Sequence, residues 1–587
     1  MLLENLVVIG NCQFSALISN TGAVVWCCLP RFDSQPVFST LLDHKEGGQF
    51  NIGPPDGSEG TLTYIENTNI AQTEFDTPSG SFRIIDFAPR FLQYDRIFRP
   101  TQLCRIIEPI KGNPQIIINS DPKIGWSKIT PEKICGSNHI KYEGFESQLR
   151  LTSDIPVTYL LGQPFALTEK KHLILSWGTP VEEPLLPLCN RFYEETKRYW
   201  QRWVKQCNIP QLFQKEVIRS ALALRLHCFE DTGAIIASMT TSIPESAKSG
   251  RNWDYRYCWL RDSYYVLEAF RLLGQFEERE NFTNFLLNIA GSSLDLDLLP
   301  LYKVDGSIDL KEEILGNWAG FNDDGPVRVG NNAALQTQND IFGEMVLSLL
   351  PIFLDERFSN ERTPFAFKLL ESLAEKAITV AGKPDAGIWE FRTDAKPQTF
   401  SSLMSWAASD RMAEVAKRYL PGKKEFFASA SKKIKQEILD QAWNESLGCF
   451  TGTYGGTEVD ASLLQMASLR FLPPDNKKLQ RSIEKTWKSL SRNGWLLRYS
   501  HNDGFGNPES AFLICTFWLI EALDAVGRKD EAKLLINQAQ MAISPLGLLS
   551  EDFDTVNLKM WGNFPQTYSH VGFIHAAFAA SPRWNEV

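Results

Sequence analysis

Between Trp253 and Asp262 the chain sets four aromatic side chains, two arginines and two aspartates within ten residues. Aromatic faces stack on the apolar faces of sugar rings, and a fixed Arg or Asp can bind vicinal hydroxyls through paired hydrogen bonds. A well-packed loop with one ion pair has the same composition, so these residues alone leave both readings open. Apolar residues at helical spacing follow (Tyr265, Val266, Ala269, Phe270). The stretch is therefore expected to be an aromatic loop feeding a buried helix, with Asp262 as the N-cap.

Four further segments occur in order along the chain. They are Gly387-Ile388-Trp389-Glu390; Gly494-Trp495 through Arg498-Tyr499 with Asn507-Pro508 and Phe512-Leu513; Leu549-Ser550-Glu551-Asp552-Phe553; and Gly562-Asn563-Phe564-Pro565-Gln566 with Ser569-His570. Upstream, the run from Gly22 to Asp43 contains Trp26-Cys27-Cys28-Leu29-Pro30-Arg31-Phe32-Asp33-Ser34. Together these resemble the glucoamylase-like inverting glycoside hydrolases of family 15, in the prokaryotic form with an N-terminal β-domain. The resemblance covers nearly the whole chain, and an ordered set is far more specific than any one motif. It implies an antiparallel β-sandwich followed by an (α/α)6 barrel. It also implies an inverting, exo-acting hydrolase that releases β-glucose from the non-reducing ends of α-glucans or oligosaccharides.

Hydrolysis of an acetal needs one carboxyl group to protonate the leaving oxygen and another to deliver a nucleophile. By position, the resemblance makes Glu390 the general acid and Glu551 the general base, with Asp552 as the alternative to Glu551. Ile388 and Trp389 give Glu390 apolar neighbours, a setting expected to keep a carboxyl protonated. Ser550, Asp552 and Asp554 are expected to keep Glu551 hydrated. The resemblance further implies that Arg261 and Asp262 hold hydroxyls of the terminal glucose. Tyr255 and Trp259 would wall the pocket, with Trp389 beside it, and Arg498 would hold that glucose or its neighbour. Structural ion pairs are the alternative for Arg261 and Arg498. The polar cluster Asn331, Asn332, Gln336, Gln338 and Asp340 reads as lining or glue rather than as catalytic.

Two departures leave the substrate open. Ser402-Leu403 stands where relatives often carry Ser-Lys, and the loop Glu312–Asp324, with Trp318 and Phe321, is not the family's usual acidic-aromatic version. Trehalase and an α-1,6-specific, glucodextranase-like hydrolase therefore stand beside the glucoamylase reading. A non-catalytic carbohydrate-sensing or regulatory barrel is the alternative of another class; such a barrel need not keep both carboxylates, and this chain keeps both.

The whole chain is compatible with that chemistry. It has 587 residues, enough for two or three domains, and a net charge of −10 that argues against nucleic acid as partner. The expected partner is an α-linked glucose oligosaccharide or polysaccharide. No cofactor or metal is expected: phosphate-loop, dinucleotide and zinc-helix motifs are missing, and His570 and His575 are badly spaced as a metal pair. The eleven cysteines show no CxxC spacing and read as reduced, mostly buried thiols. Met1–Asn5 does not read as a signal peptide, and the longest apolar run, Ala511–Ile520, is too short to span a bilayer. A cytoplasmic enzyme is expected.

The elements that must position these residues fall into three parts. Residues 1–188 show short alternating or β-branched runs separated by turns, as in a sandwich. Residues 189–209 read as a charged amphipathic linker helix, from the period of Phe192, Tyr199, Trp200 and Trp203. Residues 210–587 read as helices. Twelve are expected, among them Ser263–Gly274, Ala333–Phe353, Ser510–Val526 and Thr567–Ala580. Long loops at 230–261, 292–332, 383–400, 491–509 and 544–566 alternate with short ones, and every barrel motif falls on or beside a long one. Such loops would gather at one end of a barrel of six helix pairs.

Overall fold

The computed structural model describes residues 1–291 and 296–586. The first four residues of the loop expected at 292–332 lie outside the described residues, as does Val587.

Two antiparallel sheets face each other in the N-terminal part. One has seven strands; six run in the order Leu6–Gly10, Ser15–Ser19, Ala23–Cys28, Phe50–Gly53, Gln115–Ser120, Phe165–Ala166, and Pro36–Phe38 pairs with the third. The other has eight: Glu132–Cys135, His139–Glu143, Leu149–Ser153, Lys171–Trp177, Gln102–Gly112, Gly80–Phe87, Ala71–Thr77, Thr61–Tyr64. Val7, Ile9, Ile18 and Ile52 from the first sheet pack on Ile84, Leu103, Leu151 and Leu173 from the second. The alternate residues Leu6, Val8, Leu17 and Val25 join the core of the helical part instead. Side chains alternate across a strand. The first sheet is thus buried on both faces, which is why Leu6–Gly10 and Ala23–Cys28 read as unbroken apolar runs.

The linker helix expected at 189–209 runs from Leu185 to Lys205. Leu188, Cys189 and Phe192 pack on Phe87, Ile106 and Ile174 of the eight-stranded sheet, while Trp200, Trp203 and Val204 join the barrel core. It clamps one part onto the other.

Twelve helical segments follow among the described residues. Six form an inner ring: Leu260–Leu272, Asp340–Leu354, Thr399–Tyr419, Ala461–Ser468, Leu513–Ala525 and Thr567–Ala580, each touching the next and the last closing on the first. The others lie outside. This is an (α/α)6 barrel. The inner helix Leu513–Ala525 is apolar on nearly every side because neighbours enclose it; the outer Lys477–Leu490 buries one stripe through Leu479, Ile483 and Leu490.

Three of these helix starts differ from expectation; the one placed at Ser510 begins at Leu513, after a short strand at Ala511–Phe512. The helix after the aromatic loop begins at Leu260, so Asp262 lies in its first turn and does not cap it. Cys258–Trp259 pairs as a strand with Leu301–Tyr302 up to the helix, and no loop residue is left to cap. The helix expected at Ala333–Phe353 is broken: a short turn covers Asn332–Leu335, capped by the Asn331 side chain, and the helix proper starts at Asp340. The carboxylate of Asp385 accepts from Asn339 N (2.8 Å) and fixes the break.

All eleven cysteines are free, and nine of them are buried. No helix among the described residues is long and apolar enough to cross a membrane.

Candidate active site

The long loops converge at one end of the barrel around two hollows. The inner one, about 430 Å3, is lined by Ala237, Tyr255, Trp259, Arg261, Asp262, Ile388, Trp389, Glu390, Arg498, Phe512, Gln566 and Tyr568. The outer one, about 480 Å3, adds Glu245, Arg251, Trp253, Arg392, Tyr499, Asp503 and Phe505. Tyr255, Trp389, Glu390 and Arg498 line both.

Glu390 stands at the junction. Its Oε1 accepts from Trp259 Nε1 (2.6 Å), Arg261 Nη2 (3.0 Å) and Gln338 Nε2 (3.3 Å). Oε2 has no protein donor among the described residues. The expectation of an apolar setting is corrected here: Ile388 and Trp389 precede Glu390, but the fold brings three N–H donors onto one oxygen. Glu390 has φ 57°, the left-handed region, at a cost on the order of 1–3 kcal/mol for a residue with a Cβ. A turn closed by Glu390 N to Gly387 O (3.1 Å), and the Gln336 amide on its carbonyl (3.1 Å), hold it there.

Arg261 also donates Nε to Tyr568 Oη (3.1 Å) and Nη1 to Gln338 Oε1 (2.5 Å), and lies 3.4 Å from Asp340. Burial pushes neighbouring Asp262 up to about 7, against the pull of Arg261. Gln336, Gln338 and Asp340 are therefore glue, as expected, and the residue they fix is Glu390.

Glu551 lines neither hollow. It is enclosed beside them, 1% exposed, within electrostatic reach of Tyr255 and Arg498. Its Oε2 accepts from Asn563 N (3.1 Å), and Oε1 has no hydrogen-bond partner among the described residues. The expected hydrated setting is thus corrected: burial, then the adjacent Asp552 and nearby Glu245, raise this carboxyl well above the usual range. Ser550 and Asp552 are polar, but Ser550 Oγ bonds Asp552 O and Ser510 Oγ bonds Asp552 Oδ1, so both are used inside the protein. Gly562 is required behind Glu551. It has φ 74°, and a Cβ there would stand 2.6 Å from Glu551 Cβ and 2.8 Å from Oε2.

Arg498 donates Nη2 to Glu245, so an ion pair accompanies its place in the hollow. Trp389 Nε1 donates to both oxygens of Asp460 (2.9 Å each), and its ring packs on Tyr499, Phe512 and Trp518. The structure thus brings Tyr255, Trp259, Arg261, Asp262, Trp389, Glu390 and Arg498 to shared walls, with Glu551 enclosed next to them. Trp318 and Phe321 of the departing loop line neither hollow and are buried on Trp126 and Trp561. His570 is buried, with Nδ1 on Ser220 Oγ and Nε2 accepting from Leu549 N.

Several lining residues escaped the sequence reading. Arg251 pairs bidentately with Asp503 (2.8 and 2.6 Å), Arg392 pairs with Glu312 (2.7 Å), and both guanidiniums lie near Phe505. Arg251 immediately precedes the aromatic stretch, and that proximity was the only local signal; Asp503 and Arg392 carried none.

The model for Glycosyl hydrolases family 15 matches residues 212–578, and that for a trehalase-like N-terminal domain matches residues 1–154. A trehalase of Thermoplasma volcanium is 31% identical, over 97% of this chain and 92% of its own. A trehalase of Mycobacterium tuberculosis is 31% identical, over 96% and 87%. Among solved structures, a bacterial glucoamylase complexed with acarbose superposes with a TM-score of 0.69 at 13% identity, over 98% of this chain and 94% of that one.

Proposed function

Because this chain belongs to glycosyl hydrolases family 15 and is therefore a glycoside hydrolase, we propose that its substrate is α,α-trehalose. The full-length relatives named trehalase support this ordering of the alternatives, ahead of the glucoamylase and α-1,6-specific readings. The observation that carries it is geometric. Two hollows meet at Glu390, and the outer one is walled by the charged side chains Glu245, Arg251, Arg392 and Asp503. That arrangement suits one polar sugar on each side of a scissile oxygen.

In this reading one glucose sits in the inner hollow against Trp259, Arg261, Asp262 and Tyr568. The other sits in the outer hollow by Trp253 and Arg392. Glu390 gives a proton from Oε2 to the bridging oxygen while the three donors hold Oε1. Glu551 takes a proton through Oε1 from a water that attacks the anomeric carbon on the opposite face. Displacement inverts that carbon, giving one β-glucose and one α-glucose. An inverting pair stands roughly 6.5–9.5 Å apart to admit the water. Arg498 supplies a positive charge that favours the ionised form of Glu551, against its burial. The nine buried thiols support a cytoplasmic site of action.

The test is hydrolysis of trehalose, maltose, maltotriose and isomaltose, followed by NMR of fresh product. Trehalose is expected to be preferred at least about a hundredfold in kcat/KM, with equal α- and β-glucose released. Preference for maltotriose, or α-glucose as the sole first product, overturns the reading.

A further inference from the structure

We propose that Trp126 and Lys128 of the β-sandwich are positioning residues for the outer sugar, acting through the loop from Leu310 to Gly330. The inference rests on the outer hollow taking the second sugar.

That loop has two short pairings of its own, Glu313–Ile314 with Arg328–Val329 and Phe321 with Asp324. Thr241, Ser242 and Asn252 of the barrel hold Arg328 and Asp324. The sandwich holds the middle. Lys128, at φ 57°, directs its ammonium into the contact, where the group is 7% exposed. It donates to Asn317 O (2.7 Å), pairs with Asp43 (2.9 Å) and Glu46 (2.6 Å), and lies 5.2 Å from the Trp318 ring centre. Trp318 Nε1 donates to Trp126 O (3.1 Å), and the two indoles meet edge to face at 5.2 Å.

The far end of the same loop reaches the substrate hollow. Glu312 bridges Arg392 (2.7 Å) and Arg328 (3.5 Å). Both guanidiniums lie over the Trp253 ring, at 4.3 and 4.5 Å. Trp253 and Arg392 line the outer hollow only. Trp126 also touches the aromatic stretch directly, with Arg256 5.3 Å from its ring while Arg256 Nη1 donates to Ser34 O (2.7 Å). By contrast, Arg261, Asp262 and Tyr568 of the inner hollow are carried on the barrel's own helices, Leu260–Leu272 and Thr567–Ala580. Ordering a loop costs conformational entropy, and here the sandwich offsets part of that cost for the loop beside the outer sugar site.

The experiment compares Trp126→Ala and Lys128→Met with the parent enzyme on trehalose and on α-glucosyl fluoride, whose leaving group makes no outer-sugar contact. For trehalose, KM is expected to rise about tenfold; for α-glucosyl fluoride, kcat/KM is expected to stay within about twofold. Equal losses on both substrates, or no change on trehalose, overturn the proposal. If Trp126→Ala does not fold, Lys128→Met and Glu312→Gln are read by the same ratio. If the parent enzyme prefers another disaccharide, the trehalose reading falls, and the ratio measured on that disaccharide still decides the role of Trp126 and Lys128.

Discussion

Glu390 and Glu551 are the same residue type at the same end of the barrel, and their surroundings are opposite. Glu390 is partly open, on a left-handed turn, with three donors on one oxygen and the other oxygen free of protein. Glu551 is sealed in, with one backbone donor and two acidic neighbours, Asp552 and Glu245, against the single arginine Arg498. The difference separates holding a carboxyl in place from setting its charge. Side-chain bonds do the first for Glu390. Burial and nearby charge do the second for Glu551, and Gly562 at its back leaves it no room to swing away.

The largest effect should come from removing either carboxylate. Glu390→Gln and Glu551→Gln keep shape and lose proton transfer, so kcat is expected to fall on the order of 10²–10⁴-fold with sugar binding nearly intact. Single-turnover rates with calorimetric binding check this. A normal rate for one variant removes that residue from the pair.

Next is Gly562→Ala, which tests the backing of Glu551 alone. The methyl group meets both the positive φ and the 2.6 Å contact. Stability should drop by about 1–3 kcal/mol and kcat by roughly tenfold. Thermal unfolding and steady-state rates on trehalose separate the two losses.

The smallest and most specific is Glu245→Gln. Glu245 is a like charge that disfavours ionised Glu551, and it also occupies Arg498. Its removal lowers the pKa of Glu551 on both counts. A base works only when ionised, so the acidic limb of kcat/KM should move to lower pH. A limb that stays in place would detach Glu245 from the base.

The N-terminal strands were legible because β-branched runs and turn signals mark them locally, and the inner helices because their apolar residues recur at helical spacing. The start of the helix at Leu260 was not, since the strand partner that leaves Asp262 uncapped, Leu301–Tyr302, lies some forty residues on. Glu390, Glu551, Arg261 and Arg498 were found through ordered motifs. Asp503 and Arg392 were not, because their partners Arg251 and Glu312 are remote in the chain and no local pattern links them.

The order of residues along this chain determined by itself which side chains can carry acid–base chemistry and which segments become strands and helices, because types and periods are local properties. Folding alone decided which carboxyl is sealed from water, which oxygen receives the donors, and that a β-sandwich holds the loop beside the outer hollow. Dielectric, neighbouring charge and contact depend on distances in space, and those exist only once remote segments have packed together.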